Sequence, residues 1–170
     1  MSRKQEAHGF QPREDVNYKH EKFADLTVED VSESLITQPS VIGLGGSIRD
    51  VIDNMLDNPV ARKVYIVDEN GVLVGMITTA TLLRLIGYRV GVRTGTLSFY
   101  KFLRDTLEEE VGKVMEKPVF VRSHVKLTDA LFKMLDQHMN DIPVVDDDGK
   151  LLGELNSLEL FAEARGLFED

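Results

Sequence analysis

The residues of this chain that are able to do chemistry are few, and spacing disqualifies most of them from catalysis. Gly43-Leu44-Gly45-Gly46 has the outline of a phosphate-cradling loop, but neither the third glycine of a dinucleotide fingerprint nor a Gly-Lys-Ser/Thr ending follows it. It reads as a strand-to-helix loop with Ser47 as a cap. The four histidines, His8, His20, His124 and His138, have no i, i+4 or other ligand spacing, so metal binding is not expected. Asp146-Asp147-Asp148-Gly149 lacks the alternating ligands and distal Glu of a calcium loop and reads as a solvated turn. With no cysteine there is no thiolate nucleophile, disulfide or cysteine-ligated metal. No Gly-x-Ser-x-Gly elbow or set of nucleophile, base and orienter can be named, so the expectation is a non-enzyme. What is left is a pair of helix openings, Thr78-Thr79-Ala80-Thr81 and Asn156-Ser157-Leu158-Glu159. The first N–H groups of a helix have no internal partners and favour an anion or an acceptor-rich sugar. Thr78 and Asn156 can equally serve only as caps, a role worth about 1 kcal/mol.

These two openings sit at equivalent places in an internal duplication. Pro39 to Leu82 is rewritten from Pro118 to Leu160, displaced by 79 residues in its first part and 78 in its second. Asp50, Met55, Leu56 and Asp57 match Asp129, Met134, Leu135 and Asp136. Val67-Asp68, Gly71, Leu73 and Gly75 match Val145-Asp146, Gly149, Leu151 and Gly153. Each copy passes through the same periods. Val41-Ile42 and Val119-Phe120-Val121 read as short strands. Ile48, Val51, Ile52, Met55 and Leu56 then recur at i, i+3, i+4, i+7, i+8, as do Leu127, Ala130, Leu131, Met134 and Leu135, which predicts two amphipathic helices. Apolar runs at 64–67 and 142–145 lead into Asn70-Gly71 and Asp148-Gly149, hairpin signals whose residues tolerate positive φ. Second helices are predicted over 79–86 and 157–165, with Gly87 and Gly166 as stops. The repeating unit is βαββα.

Residues 1–26 read as a flexible arm, 27–87 as the first repeat, 88–110 as a connector and 111–170 as the second repeat. Thr27-Val28-Glu29-Asp30 has the form of a helix start. In the connector Phe99, Leu103, Leu107 and Val111 recur at fourfold spacing on an expected helix, whose apolar stripe suits core or oligomer contact better than a dedicated partner surface. Glu108-Glu109-Glu110 reads as a solvated face. The 170 residues carry 29 acids against 20 bases, and the net charge of -9 repels nucleic acid and acidic membrane surfaces, so neither is an expected partner. No stretch approaches the roughly 20 apolar residues of a membrane span, and the cysteine-free composition fits a cytoplasmic setting.

The tandem βαββα order, Val-x-x-Val-Met at 111–115, Ile-Pro-Val-Val-Asp at 142–146, Asp-Gly-Lys-Leu-Leu-Gly at 148–153 and the run from Val64 to Thr78 resemble the CBS domain, named for cystathionine beta-synthase. The resemblance covers about 31–166. It implies an α/β fold, a tandem CBS-domain pair of two βαββα repeats packed with pseudo-twofold symmetry around two clefts. It also implies a homodimer and a regulatory role in which an adenosyl compound, AMP, ADP, ATP or S-adenosylmethionine, signals to a separate effector protein. The alternative is a structural or protein-interaction module with no ligand. Relatives place base contacts at the positions of Pro39, Ser40, Val41, Pro118 and Val119, and line the base with those of Ile142 and Pro143. Phosphate contacts are implied at Arg62 and Lys63, against which stand two ordinary solvated charges; Arg89 and Arg93 are weaker candidates. Thr78 and Asn156 then hold the cap positions. Relatives carry Asp three residues after the cap, to bond ribose hydroxyls. This chain departs from that pattern, with Thr81 in the first copy and Glu159 in the second.

Overall fold

Ser47 opens the first amphipathic helix with a reciprocal box: its hydroxyl accepts from the Asp50 N–H at 3.3 Å, and the Asp50 carboxylate accepts from the Ser47 N–H at 2.8 Å. The helix, α1 (Ile48–Asp57), turns Ile48 and Val51 into the interior. The computed structural model describes residues 25–31, 36–58, 62–90, 96–158, 161 and 165, with backbone alone at 36–37, 88–90 and 96–99, and in the second copy the inward face recurs at Leu127 and Ala130 without the box, because Lys126 stands at the cap. In chain order the elements are β1 (Ile36–Thr37), β2 (Val41–Gly43), α1, β3 (Lys63–Val67), β4 (Leu73–Thr78), α2 (Thr79–Val90), α3 (Thr96–Leu107), β5 (Val121–Arg122), α4 (Leu127–Asp136), β6 (Asp141–Val145) and β7 (Leu151–Asn156). Helical backbone resumes at Ser157. Among the described residues no helix is long and apolar enough to cross a membrane.

Each repeat builds a sheet with a parallel and an antiparallel pairing. The first runs β2-β3-β4 and the second β1-β7-β6-β5. The hairpins turn as the dipeptides predict, although only Gly71 (φ 81°) and Gly149 (φ 82°) use the left-handed region, not Asn70 or Asp148. Asp68 and Asp146 brace the turns: Asp68 Oδ1 accepts from the N–H of Asn70 and of Val72, and Asp146 Oδ1 from that of Lys150.

The two halves meet through residues that the duplication makes equivalent. Val72 bridges Lys150, the Leu73 N–H donates to Gly149 O at 3.0 Å, and the Leu151 N–H returns the bond to Gly71 O at 3.2 Å. A pseudo-twofold axis therefore passes between the hairpins. Tyr65, Leu73 and Val145 form a buried cluster with Met76, Phe120 and Leu151 beside that junction.

The halves also exchange their lead-in segments. β1 pairs with β7, placing Thr37 opposite Glu154. Glu116, 79 residues after Thr37, exchanges two backbone bonds with Met76 of β4, at 3.0 and 2.9 Å. Val28 and Val31 are buried in the core of the second repeat with Val121, Leu127 and Ile142, while Val111 joins Ile48, Val64 and Ile77 in the core of the first. Neither half owns a complete core or a complete sheet edge.

Several boundaries differ from expectation. α2 runs to Val90, so Gly87 is an exposed helical residue and not a stop; a glycine near a helix end costs about 1 kcal/mol, which the preceding buried turn can absorb. The connector helix ends at Leu107, and Val111 belongs to a separate 3-10 turn, Val111–Lys113, because its side chain is drawn into the first core. Val119 and Phe120 precede β5 outside the ladder. Thr27 and Asp30 make the expected reciprocal bonds, but the turn they open is the short 3-10 segment Glu29–Val31. Gly166 and the arm through Ala24 lie outside the described residues.

Candidate functional site

The opening of α2 is closed by hydroxyls. Thr78 Oγ1 accepts from the Thr81 N–H at 3.1 Å, Thr81 Oγ1 accepts from the Thr78 N–H at 3.3 Å, and the two oxygens lie 2.9 Å apart. Thr81, on the inner side of the helix, is buried, and a carboxylate, which can only accept, lies within reach of its hydroxyl proton. That proton goes to Glu116 Oε1 at 3.0 Å. Arg84, one turn further along α2, pairs with the same carboxylate oxygen. Glu116 is a residue that sequence reasoning missed. It lies 35 positions from Thr81, and only the exchange of lead-in segments brings it there.

In the second repeat the Asn156 Oδ1 accepts from the Leu158 N–H at 2.8 Å, so Asn156 caps the next helix. Its amide donates to Asp141 Oδ1 at 2.8 Å. Glu159 falls outside the described residues.

Lys63 and Asp141, equivalent under the 78-residue offset, face each other across the pseudo-twofold axis. The Lys63 ammonium lies 3.1 Å from Asp141 Oδ2 and 2.7 Å from Glu154 Oε1, and donates to Asp141 O at 2.9 Å. Its side chain is only 15% exposed and that of Glu154 13%. The Lys63 charge is thus committed between the repeats, beside the ring of Tyr65. Burial, and next the charge of Glu154, drive the Tyr65 hydroxyl far above the ordinary phenol range, so it stays neutral. Arg62 is exposed at the mouth of the same strand, and its carbonyl accepts from the Thr79 N–H at 3.0 Å. Of the two expected phosphate contacts, it is the one whose side chain faces water.

The segments before the parallel strands are also unlike. Tyr65 donates its N–H to Ser40 O at 2.9 Å. At the equivalent position of the second repeat stands Pro143, which has no N–H, so the carbonyl of Val119 does not receive the bond that Ser40 receives. Pro39 and Ser40 are half-buried and Val41 is exposed, Pro118 and Val119 are half-buried, and Ile142 and Pro143 are buried. The structure brings Val119 beside the start of β6, and Thr78, Thr81 and Arg62 together at the opening of α2. It does not gather the expected residues that are described at one point. They fall into two sets, one per repeat. The side chains of Arg89 and Arg93 lie outside the described set, and the described residues contain no group of acids and histidines able to hold a metal.

Two exchanged βαββα units about a pseudo-twofold axis, each with a capped helix opening beside its partner's lead-in segment, define a tandem-repeat module. Residues 26–88 and 111–165 match the family model of the CBS domain, together more than half of the chain, and the chain belongs to that family. It is similar to the chloroplastic CBS domain-containing protein CBSX2 of Arabidopsis thaliana, 31% identical over 121 residues. That match covers 61% of this chain and 51% of the relative, so the chain spans about half the length of that protein. A CBS domain-containing protein of Thermotoga maritima has a similar solved structure, with TM-score 0.63, 30% identity and coverage of 83% of this chain and 95% of that one. CBSX2 solved in complex with AMP is similar with TM-score 0.63 and 25% identity, over 84% of this chain and 98% of that one.

Proposed function

We propose that the chain is a ligand-sensing regulatory module that binds an adenine nucleotide or another adenosyl compound and passes the binding event to a separate protein. The observation that carries the reading is the pairing, in each repeat, of a helix opening with a lead-in segment that offers polar backbone. In the second repeat Pro143 frees the Val119 carbonyl to accept an exocyclic amine, and the half-buried Pro118 and Val119 are the apolar groups within reach of a base, since Ile142 is taken up by the core. In the first, Arg62 supplies an exposed cation for phosphate. The AMP held by CBSX2, a structural relative, supports the ligand class. No step of covalent chemistry is assigned to the module. Residues 27–87 and 111–170 act as its two repeats, 1–26 as an arm and 88–110 as a connector, in a reducing cytoplasmic setting.

A second copy of the chain is the proposed structural partner. Leu83 and Phe161, equivalent under the duplication, are exposed at 71% and 61%, and Leu56 and Leu135 are exposed in the same paired fashion. Apolar residues repeated about an internal axis suit an isologous contact between two copies. A second reading, an interaction module with no small ligand, is favoured by the way Thr78, Thr81 and Lys63 already satisfy one another or their neighbours.

Thermal unfolding and calorimetry with AMP, ADP, ATP, S-adenosylmethionine and NAD decide between the two. A ligand that binds only the folded state at a hundred times its Kd adds about 2.7 kcal/mol of stability. Silence across the whole panel at millimolar concentration overturns the nucleotide reading and leaves the interaction module.

A further inference from the structure

We infer that Glu116 is the residue that selects a ligand carrying a vicinal diol in the first repeat, an inference that rests on the nucleotide reading above. The argument comes from the internal symmetry. Position 81 is Thr and its equivalent, 159, is Glu; position 116 is Glu and its equivalent, 37, is Thr. Positions 37 and 116 occupy matching places in the fold, each paired with the last strand of the opposite repeat, opposite Glu154 and Met76 respectively. Each repeat therefore has one threonine and one glutamate at these two positions, and the first has them interchanged. The acid has moved from the helix to the edge segment.

The geometry shows what the moved acid can do. Both of its donors, the Thr81 hydroxyl and the Arg84 guanidinium, meet Oε1. Among the described residues no donor meets Oε2, on a side chain 40% exposed. A carboxylate oxygen fixed at a helix opening and steadied by a buried hydroxyl on one side and a guanidinium on the other is a preorganised acceptor for O–H groups. Two adjacent ribose hydroxyls fit it. A sugar lacking them leaves Oε2 desolvated without a donor, a loss the site feels only for that ligand. Arg84, paired with Oε1, offsets the repulsion between this acid and a nearby phosphate.

The test reads the first repeat alone, through the backbone amide NMR signals of Thr79 to Thr81 during titration of the full chain. AMP is expected to saturate these signals at least tenfold more tightly than 2′,3′-dideoxy-AMP. In Glu116→Gln, which preserves the backbone bonds to Met76, the preference is expected to fall below threefold, with AMP weakened and the dideoxy compound unchanged. The exchange variant Thr81→Glu with Glu116→Thr, which writes the second repeat's arrangement into the first, is expected to restore it. Equal binding of the two nucleotides by the unaltered chain, or a preference that survives Glu116→Gln, overturns the inference while the nucleotide reading stands. Shifts confined to the neighbourhood of Asn156 do the same. No binding of either nucleotide anywhere overturns both.

Discussion

Lys63→Met tests the claim that the two repeats are locked by a cation held between them. The substitution keeps an unbranched side chain of similar reach and removes the charge that faces Asp141 and Glu154. What is left is a pair of carboxylates, both from the second repeat and both turned toward the first, with side chains 28% and 13% exposed. Breaking a buried ion pair from one side costs about 3–5 kcal/mol, because the orphaned charge stays desolvated. Partial exposure of Asp141 provides some solvent screening and points to the lower end, about 3 kcal/mol. For a chain of this size that corresponds to a melting point lowered by roughly 6–12 °C. Urea unfolding followed by circular dichroism measures it directly. The control is Lys63→Met with Glu154→Gln, which removes one orphaned charge and is expected to be more stable than Lys63→Met alone. A loss under about 1 kcal/mol, or a double variant that is simply worse by the sum of the two, would refute an electrostatic lock and make Lys63 a packing residue.

Gly75→Val is expected to destabilise by about 1–3 kcal/mol, because a Cβ built there lies 2.3 Å from Met115 Sδ and 2.9 Å from its Cβ; the unfolding midpoint reads this, and Met115→Ala should partly relieve it. Ser47→Ala removes the hydroxyl half of the α1 box and is expected to cost about 1 kcal/mol in the same assay. The Ser47 N–H, and next its hydroxyl, hold the Asp50 carboxyl below its ordinary 3.8, and the Thr27 N–H does the same for Asp30. A carboxyl lowered by folding stabilises above its unfolded pKa and loses that contribution as pH falls through the folded value. The stability difference between pH 6 and pH 2.5 should therefore shrink in Asp50→Asn, and an unchanged difference removes the assignment. Leu83→Glu with Phe161→Glu is expected to convert a dimer to monomer in light scattering without lowering the melting point of dilute protein; a dimer that persists places the contact elsewhere.

Local pattern carried much of the architecture. The five-residue apolar spacings of α1 and α4 and the Asn-Gly and Asp-Gly dipeptides are short-range signals, and they mark helices and turns because both depend on neighbours in sequence. The extent of α2 was harder, since Gly87 is a stop only if the chain leaves the helix there, and nothing local requires it to. The candidate site was legible where it is made of a helix opening, at Thr78, Thr81 and Asn156. It was illegible where the far repeat intrudes. The commitment of Lys63 to Asp141 and Glu154, and the approach of Glu116 and Arg84 to Thr81, depend on contacts spanning dozens of residues. Such contacts leave no periodic trace. One clue was present in the sequence: aligning the two copies shows Thr and Glu trading places between positions 81 and 159 and between 37 and 116.

The strands β1 and the Glu116 segment are each donated across the axis, so a polypeptide ending midway through the duplication would expose a bare sheet border and an unfilled interior. Two such half-length chains could make good the deficit by mutual donation, each lending its leading segment to the other. Fusion of the two into one polypeptide would keep those loans while freeing each half to diverge, as the interchange at 81 and 116 and the opposed charges at 63 and 141 show these halves have done.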